Sequence, residues 1–216
     1  MSGPRAGAAI GRAFFACFLA AQAISLYGDR LNNFSLVALV NRFADHPGRM
    51  LPLVYLAMYL PVFFLAPLAG ALVDRAAKGW VLVWTDIARG LVVFSIPFLF
   101  DATGSFIPVL AAVFLLAVGN LLFVPAKSAL IPEIVPPPVL VRTNSILWTT
   151  GIAGTVAGFL SGGFIFDHIS WRLCFWLDGA TYLLSAALMI ALAREAKRRR
   201  PVRATVPLSL PRAIGD

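Results

Sequence analysis

The residues of this chain best suited to chemistry are ionisable and amide side chains set inside otherwise apolar stretches. A charge at membrane depth is costly, and it persists where it binds a solute, carries a proton or ties one helix to another. In Gly28-Asp29-Arg30-Leu31-Asn32-Asn33, the neighbours Asp29 and Arg30 point in different directions around a helix, whereas Asp29 and Asn33 share a face. Gln22, seven residues before Asp29, falls roughly on that face. Gln22, Asp29 and Asn33 thus form a polar stripe suited to holding a solute or carrying a proton. The competing reading places Asp29 and Arg30 at the watery outer end of a helix. Asp86 and Arg89, three apart, can pair on one face, either to lock helices together or to gate. Asp74, Arg75 and Lys78 close an apolar run, with Gly70 one turn earlier, where a missing side chain lets helices approach. Asp178 follows Arg172 by six residues and is expected to line an outer mouth rather than to carry a proton.

Other chemistries lack their parts. There is no G-x-x-x-x-G-K-[ST] phosphate loop, and His46 and His168 stand alone, without metal-ligand spacing. Cys17 and Cys174 lie singly within apolar runs and read as small buried residues. No nucleophile–base set appears, so no enzyme activity, cofactor or metal is expected.

The elements that position these residues follow from composition. The 216 residues are 60% hydrophobic and 13% charged, with a mean hydropathy of +0.85. A soluble domain has roughly 45–50% apolar and about 25% charged residues. Six apolar segments are each long enough to span a bilayer, which takes about 20 residues: 13–40, 51–73, 79–100, 106–124, 143–166 and 173–193. Backbone groups in lipid must be satisfied within their own segment, so these are helices. The net charge of +8 is then explained by sidedness, and nucleic acid is not an expected partner. With the N-terminus inside, thirteen Lys and Arg lie on the inner side and three, Arg42, Arg49 and Arg172, on the outer side. The expected organisation is a cytoplasmic N-terminus over 1–12, a six-helix bundle over 13–193, and a basic cytoplasmic tail or linker over 194–216. Arg5 and Arg12 before Phe14–Tyr27, with Ala21-Gln22-Ala23, also resemble a cleavable signal, which would leave five spans. Gly151, Gly154 and Gly158 in the fifth span permit close helix packing or bending.

Gly70-Ala-Leu-Val-Asp74-Arg75-Ala-Ala-Lys78-Gly79 resembles the loop between helices two and three of the major facilitator superfamily, which reads roughly G-x-L-x-D-R-x-G-R-K. Gly70, Leu72, Asp74, Arg75 and the basic Lys78 match; Ala77 and Gly79 depart. Gly28-Asp29-Arg30 is similar to helix one of bacterial exporters of that superfamily. The stretch from Phe123 to Glu133, with the later Asn144, resembles the loop after helix four in a branch of lysophospholipid transporters and drug exporters.

The resemblance implies an all-α integral membrane protein, the N-terminal six-helix half of a major facilitator fold, in the bacterial inner membrane with both termini cytoplasmic. It implies a secondary transporter working by alternating access, which moves an amphipathic or small organic solute, with export expected. Gly70, Asp74, Arg75 and Lys78 would form a conformational latch, supported by Asp86 and Arg89. Gln22, Asp29, Arg30 and Asn33 would line the substrate or proton path. Family members usually have twelve helices, so a second six-helix bundle is an expected partner beside the lipid bilayer. The span 106–124 holds no charge, which removes the usual helix-four arginine and shifts proton carriage to Asp29. The alternatives are a lysophospholipid flippase and a non-transporting six-helix scaffold or truncated fragment.

Overall fold

A computed structural model describes residues 4–135, 138 and 140–199, with side chains from 18 onward except 134 and, past 190, Arg194 alone. It comprises six helices: α1 (Pro4–Phe43), α2 (Pro47–Arg75), α3 (Lys78–Thr103), α4 (Phe106–Ile134), α5 (Leu140–His168) and α6 (Trp171–Arg199). The expected tail from residue 200 onward and the side chain of Cys17 lie outside the described residues; 194–199 continue α6.

Five of the helices, α2 to α6, are long and apolar enough to cross a membrane. The 40-residue α1 runs unbroken through the polar stretch 28–33, whose side chains its neighbours cover. The connection from α3 to α4 is tight. Gly104 ends α3 in the left-handed region (φ 60), where glycine carries no Cβ penalty. Ser105 then starts α4, its Oγ accepting from the Ile107 amide at 3.2 Å.

The fourth helix departs from expectation. The residues from Pro125 to Glu133 are not a loop: α4 runs through Pro125 and Pro132 to Ile134. Each proline removes one backbone donor, which a membrane helix tolerates when neighbours re-satisfy the freed groups. Lys127 and Glu133 therefore stand on a helix.

The chief pairings are α3 with α6, α1 with α6, α3 with α4, α1 with α5 and α2 with α4. The helices thus follow one another around the bundle as α5, α1, α6, α3, α4, α2. Small residues set the closest crossings, as expected where lipid supplies no hydrophobic drive. A Cβ on Gly158 would lie 2.7 Å from Arg30 Cβ and 3.0 Å from the Tyr27 carbonyl, so α5 rests directly on the backbone of α1. At Gly90 the nearest atom is the Gly179 carbonyl oxygen, 3.2 Å from such a Cβ, which brings α3 onto α6. Phe43, Phe100, Phe106 and Trp171 pack edge and face at the end of the bundle where α1 and α3 finish and α4 and α6 begin.

Candidate functional site

The polar interior is built around Arg89. Its helix turns this side chain inward with Asp86 beside it; the two form a direct ion pair and are 1% and 0% exposed. Ser185 on α6 donates to the second Asp86 oxygen at 2.7 Å. Arg89 Nη1 donates to Asn120 Oδ1 on α4 at 2.5 Å. The guanidinium carbon lies 4.1 Å from the Phe123 ring centroid and 4.5 Å from that of Tyr182. The two aromatic rings take the place of the water that would solvate the charge. Space for the stem comes from Gly119, where a Cβ would sit 2.7 Å from Arg89 Cγ.

Tyr182 carries this cluster to α1, its hydroxyl donating to Asp29 Oδ1. Asp29 and Tyr182 line a cavity of about 310 Å³ between α1, α2, α4 and α6, together with Arg30, Asn32, Asn33, Tyr59 and Asn120. Asn33 Nδ2 donates to the Asp29 carbonyl at 2.8 Å, one turn along the helix. Asp29, Arg30 and Asn33 thus share one cavity wall. Gln22 is 1% exposed and lies away from that cavity, so the stripe expected from Gln22 to Asn33 faces the cavity only from Asp29 onward.

Asp178 does not line a mouth. It is 0% exposed, seated where α6 crosses α1 at Gly28. A Cβ on Gly28 would collide with Asp178 Oδ1 and Thr181 Oγ1, so the glycine leaves the gap that the carboxylate fills. Thr181 Oγ1 donates to the Asp178 carbonyl at 2.7 Å and approaches Oδ1 at 3.4 Å. Arg172 pairs instead with Asp101 on α3, in two hydrogen bonds of 2.7 and 2.8 Å.

The 70–78 segment lies apart from this cluster. Asp74 and Arg75 are exposed at the end of α2, and Lys78 reaches α4 through an ion pair to Glu133 at 2.5 Å. Gly70 does not mark a close approach among the described residues: nothing lies within 4 Å of a Cβ placed there. On the far side of α1, a Cβ on Gly151 would meet only the Leu26 side chain, at 3.7 Å, while one on Gly154 or Gly158 would meet α1 backbone.

Six helices, five of them long and apolar enough to cross a membrane, pack around an Asp–Arg core, and one family matches the sequence. The sequence model of the Major Facilitator Superfamily matches residues 9–213. The chain belongs to the major facilitator superfamily. Among its curated relatives in the superfamily is the uncharacterized MFS-type transporter YfiS of Bacillus subtilis (strain 168), 26% identical over 82% of this chain and 42% of the relative. The lysophospholipid transporter LplT of Serratia proteamaculans (strain 568) is 28% identical over 81% of this chain and 41% of its own length. That of Yersinia pestis (strain Pestoides F) is 29% identical over 80% and 40%. The chain thus spans about two fifths of the length of these curated relatives. No solved structure matches. As a major facilitator half-fold the chain is a multi-pass membrane protein.

Sequence reasoning found Asp29, Asp86 and Arg89 but missed Asn120, Tyr182 and Ser185, which complete the cluster. A tyrosine and a serine three apart on α6 give no local signal of an arginine on α3.

Proposed function

We propose that this bundle is one half of a secondary active transporter that moves an amphipathic or small organic solute by alternating access, in the direction of efflux. The observation that carries this reading is the hydrogen bond from Tyr182 to Asp29. It couples a carboxylate on a cavity wall to the buried Arg89–Asp86 pair, so a change at the cavity has a mechanical route to the packing of α3, α4 and α6. A second six-helix bundle, from another chain or another copy, completes the cavity and rocks against this one. Asp29 carries the coupling proton. Gly70, Asp74, Arg75 and Lys78 latch the two halves on the inner side. The charge asymmetry supports an inner-membrane protein with cytoplasmic termini.

Efflux from inverted vesicles across a pH series tests this. Asp29→Asn removes the pH dependence while insertion and thermal stability persist, and Tyr182→Phe weakens it. A pH profile unchanged by both substitutions would exclude proton carriage by Asp29. A second reading, lysophospholipid movement, is supported by the names of two relatives. Flipping of a labelled lysophospholipid in liposomes, without efflux of a soluble dye, would favour it.

A further inference from the structure

A second cavity, of about 440 Å³, lies on the other side of α1, between α1, α4 and α5. Its polar lining is Arg30, Lys127, Ser128, Asn144 and Thr155, with no Asp or Glu. Neither Arg30 nor Lys127 has an ion-pair partner among the described residues, and Arg30 Nε is buried without an acceptor. Of the carboxylates on neighbouring positions, Asp86 is paired with Arg89 and bonded by Ser185, and Asp29 accepts from the neutral Tyr182 hydroxyl and faces the first cavity. Two cations in the lining, against the single unpaired carboxylate of Asp29 that faces the first cavity, leave this wall with an excess of positive charge and a place for an anion. Arg offers a planar fork and Lys a mobile point charge, a pair that suits a phosphate or carboxylate.

The rest of the lining decides what the anion is attached to. Leu26, Leu147, Ile152 and the 76% exposed ring of Trp148 form an apolar wall. A free inorganic anion would use none of it, and the volume is that of an organic-ligand pocket, about 300–1,000 Å³. We infer that this cavity takes the anionic head of an amphiphile between Arg30 and Lys127, with its chain along Trp148 and Ile152. The inference rests on the transporter reading above and narrows its substrate class to amphiphiles with a net negative head.

The test is binding to the full chain in nonionic detergent, read as quenching of tryptophan fluorescence by lysophosphatidylglycerol with a brominated acyl chain. The brominated lysophosphatidylcholine analogue, a cationic alkyl-ammonium and inorganic phosphate are the comparators. The anionic lysolipid is expected to bind about tenfold tighter than the zwitterionic one, and Trp148→Phe removes most of the quench. Lys127→Gln reduces the preference to less than about threefold, and Lys127→Arg retains it. Lys127 has no hydrogen bond among the described residues, so its replacement leaves folding intact, which thermal melting checks. Equal affinity for the zwitterionic or cationic probe would overturn the inference, as would a preference that survives Lys127→Gln and Arg30→Gln alike. Displacement of the probe by phosphate at comparable concentration would overturn the amphiphile. Binding involves no transport step: a chain that binds the anionic probe yet moves no solute keeps the site and loses the transporter reading. One that exports neutral or cationic solutes without the anionic preference does the reverse.

Discussion

Arg89 is a charge that would be untenable at its position without its neighbours. Asp86 neutralises it, Asn120 takes a second hydrogen, and Phe123 and Tyr182 face it with their rings. Breaking a buried pair from one side strands the other charge, at about 3–5 kcal/mol, whereas replacing both members with apolar groups is often neutral. Asp86→Ala should therefore lower thermal stability sharply, and adding Arg89→Met should restore most of it, as read by melting in detergent. A double variant no more stable than the single one would show that Arg89 contributes through Asn120 and the rings rather than through the pair. The pair was legible in the sequence because it is local, three residues on one helix. Asp178 was misread because its burial depends on an empty position on another helix, Gly28, that no spacing within α6 announces.

At the scale of elements, the glycines divide into those that seat helices on one another and those, Gly70 among them, that face open space. Gly158 lies against the α1 backbone, so Gly158→Val must push α5 away from Tyr27 and Arg30. Overpacking of this kind costs about 1–3 kcal/mol and should appear as a lower melting temperature. Gly70→Ala meets nothing within 4 Å and should change stability by less than about 0.5 kcal/mol. A loss of transport in Gly70→Ala with stability intact then reports a contact outside this bundle, and unchanged transport removes Gly70 from the latch. The G-x-x-x-G spacing was readable because helical period places small residues in a row. The length of α4 was not: prolines at 125 and 132 read as loop residues, but the helix continues through them. That continuation carries Lys127 into a helical wall and gives the fourth helix the positive charge that its apolar run alone lacks.

Across the whole molecule, α2 and α5 stand at opposite ends of the order α5, α1, α6, α3, α4, α2 and are the least covered helices. Tyr59, Phe63 and Phe64 on α2 and Trp148, Leu160 and Phe164 on α5 are exposed. Lipid can cover such faces, and so can the second bundle proposed above. Cysteines introduced singly separate the two. In membranes, Leu160→Cys is expected to cross-link to another chain through a short bismaleimide, and Leu91→Cys on α3 is expected not to. No adduct at Leu160 would assign that face to lipid. In the same assay Arg49→Cys should react with an impermeant maleimide from outside and Arg142→Cys only after permeabilisation. The reverse pattern would invert the sidedness drawn from the charges.

What the sequence by itself determined was the set of helices and the family. Long apolar runs in lipid have no other way to satisfy their backbone, and the G-x-L-x-D-R stretch stands between the second and third of them. Tertiary structure decided which polar groups meet. Tyr182 reaches Asp29 across 153 residues of chain, and Ser185 reaches Asp86 across 99. Such contacts depend on the order and closeness of helix packing, which glycines on facing helices set jointly, and no periodicity within a single segment encodes that order.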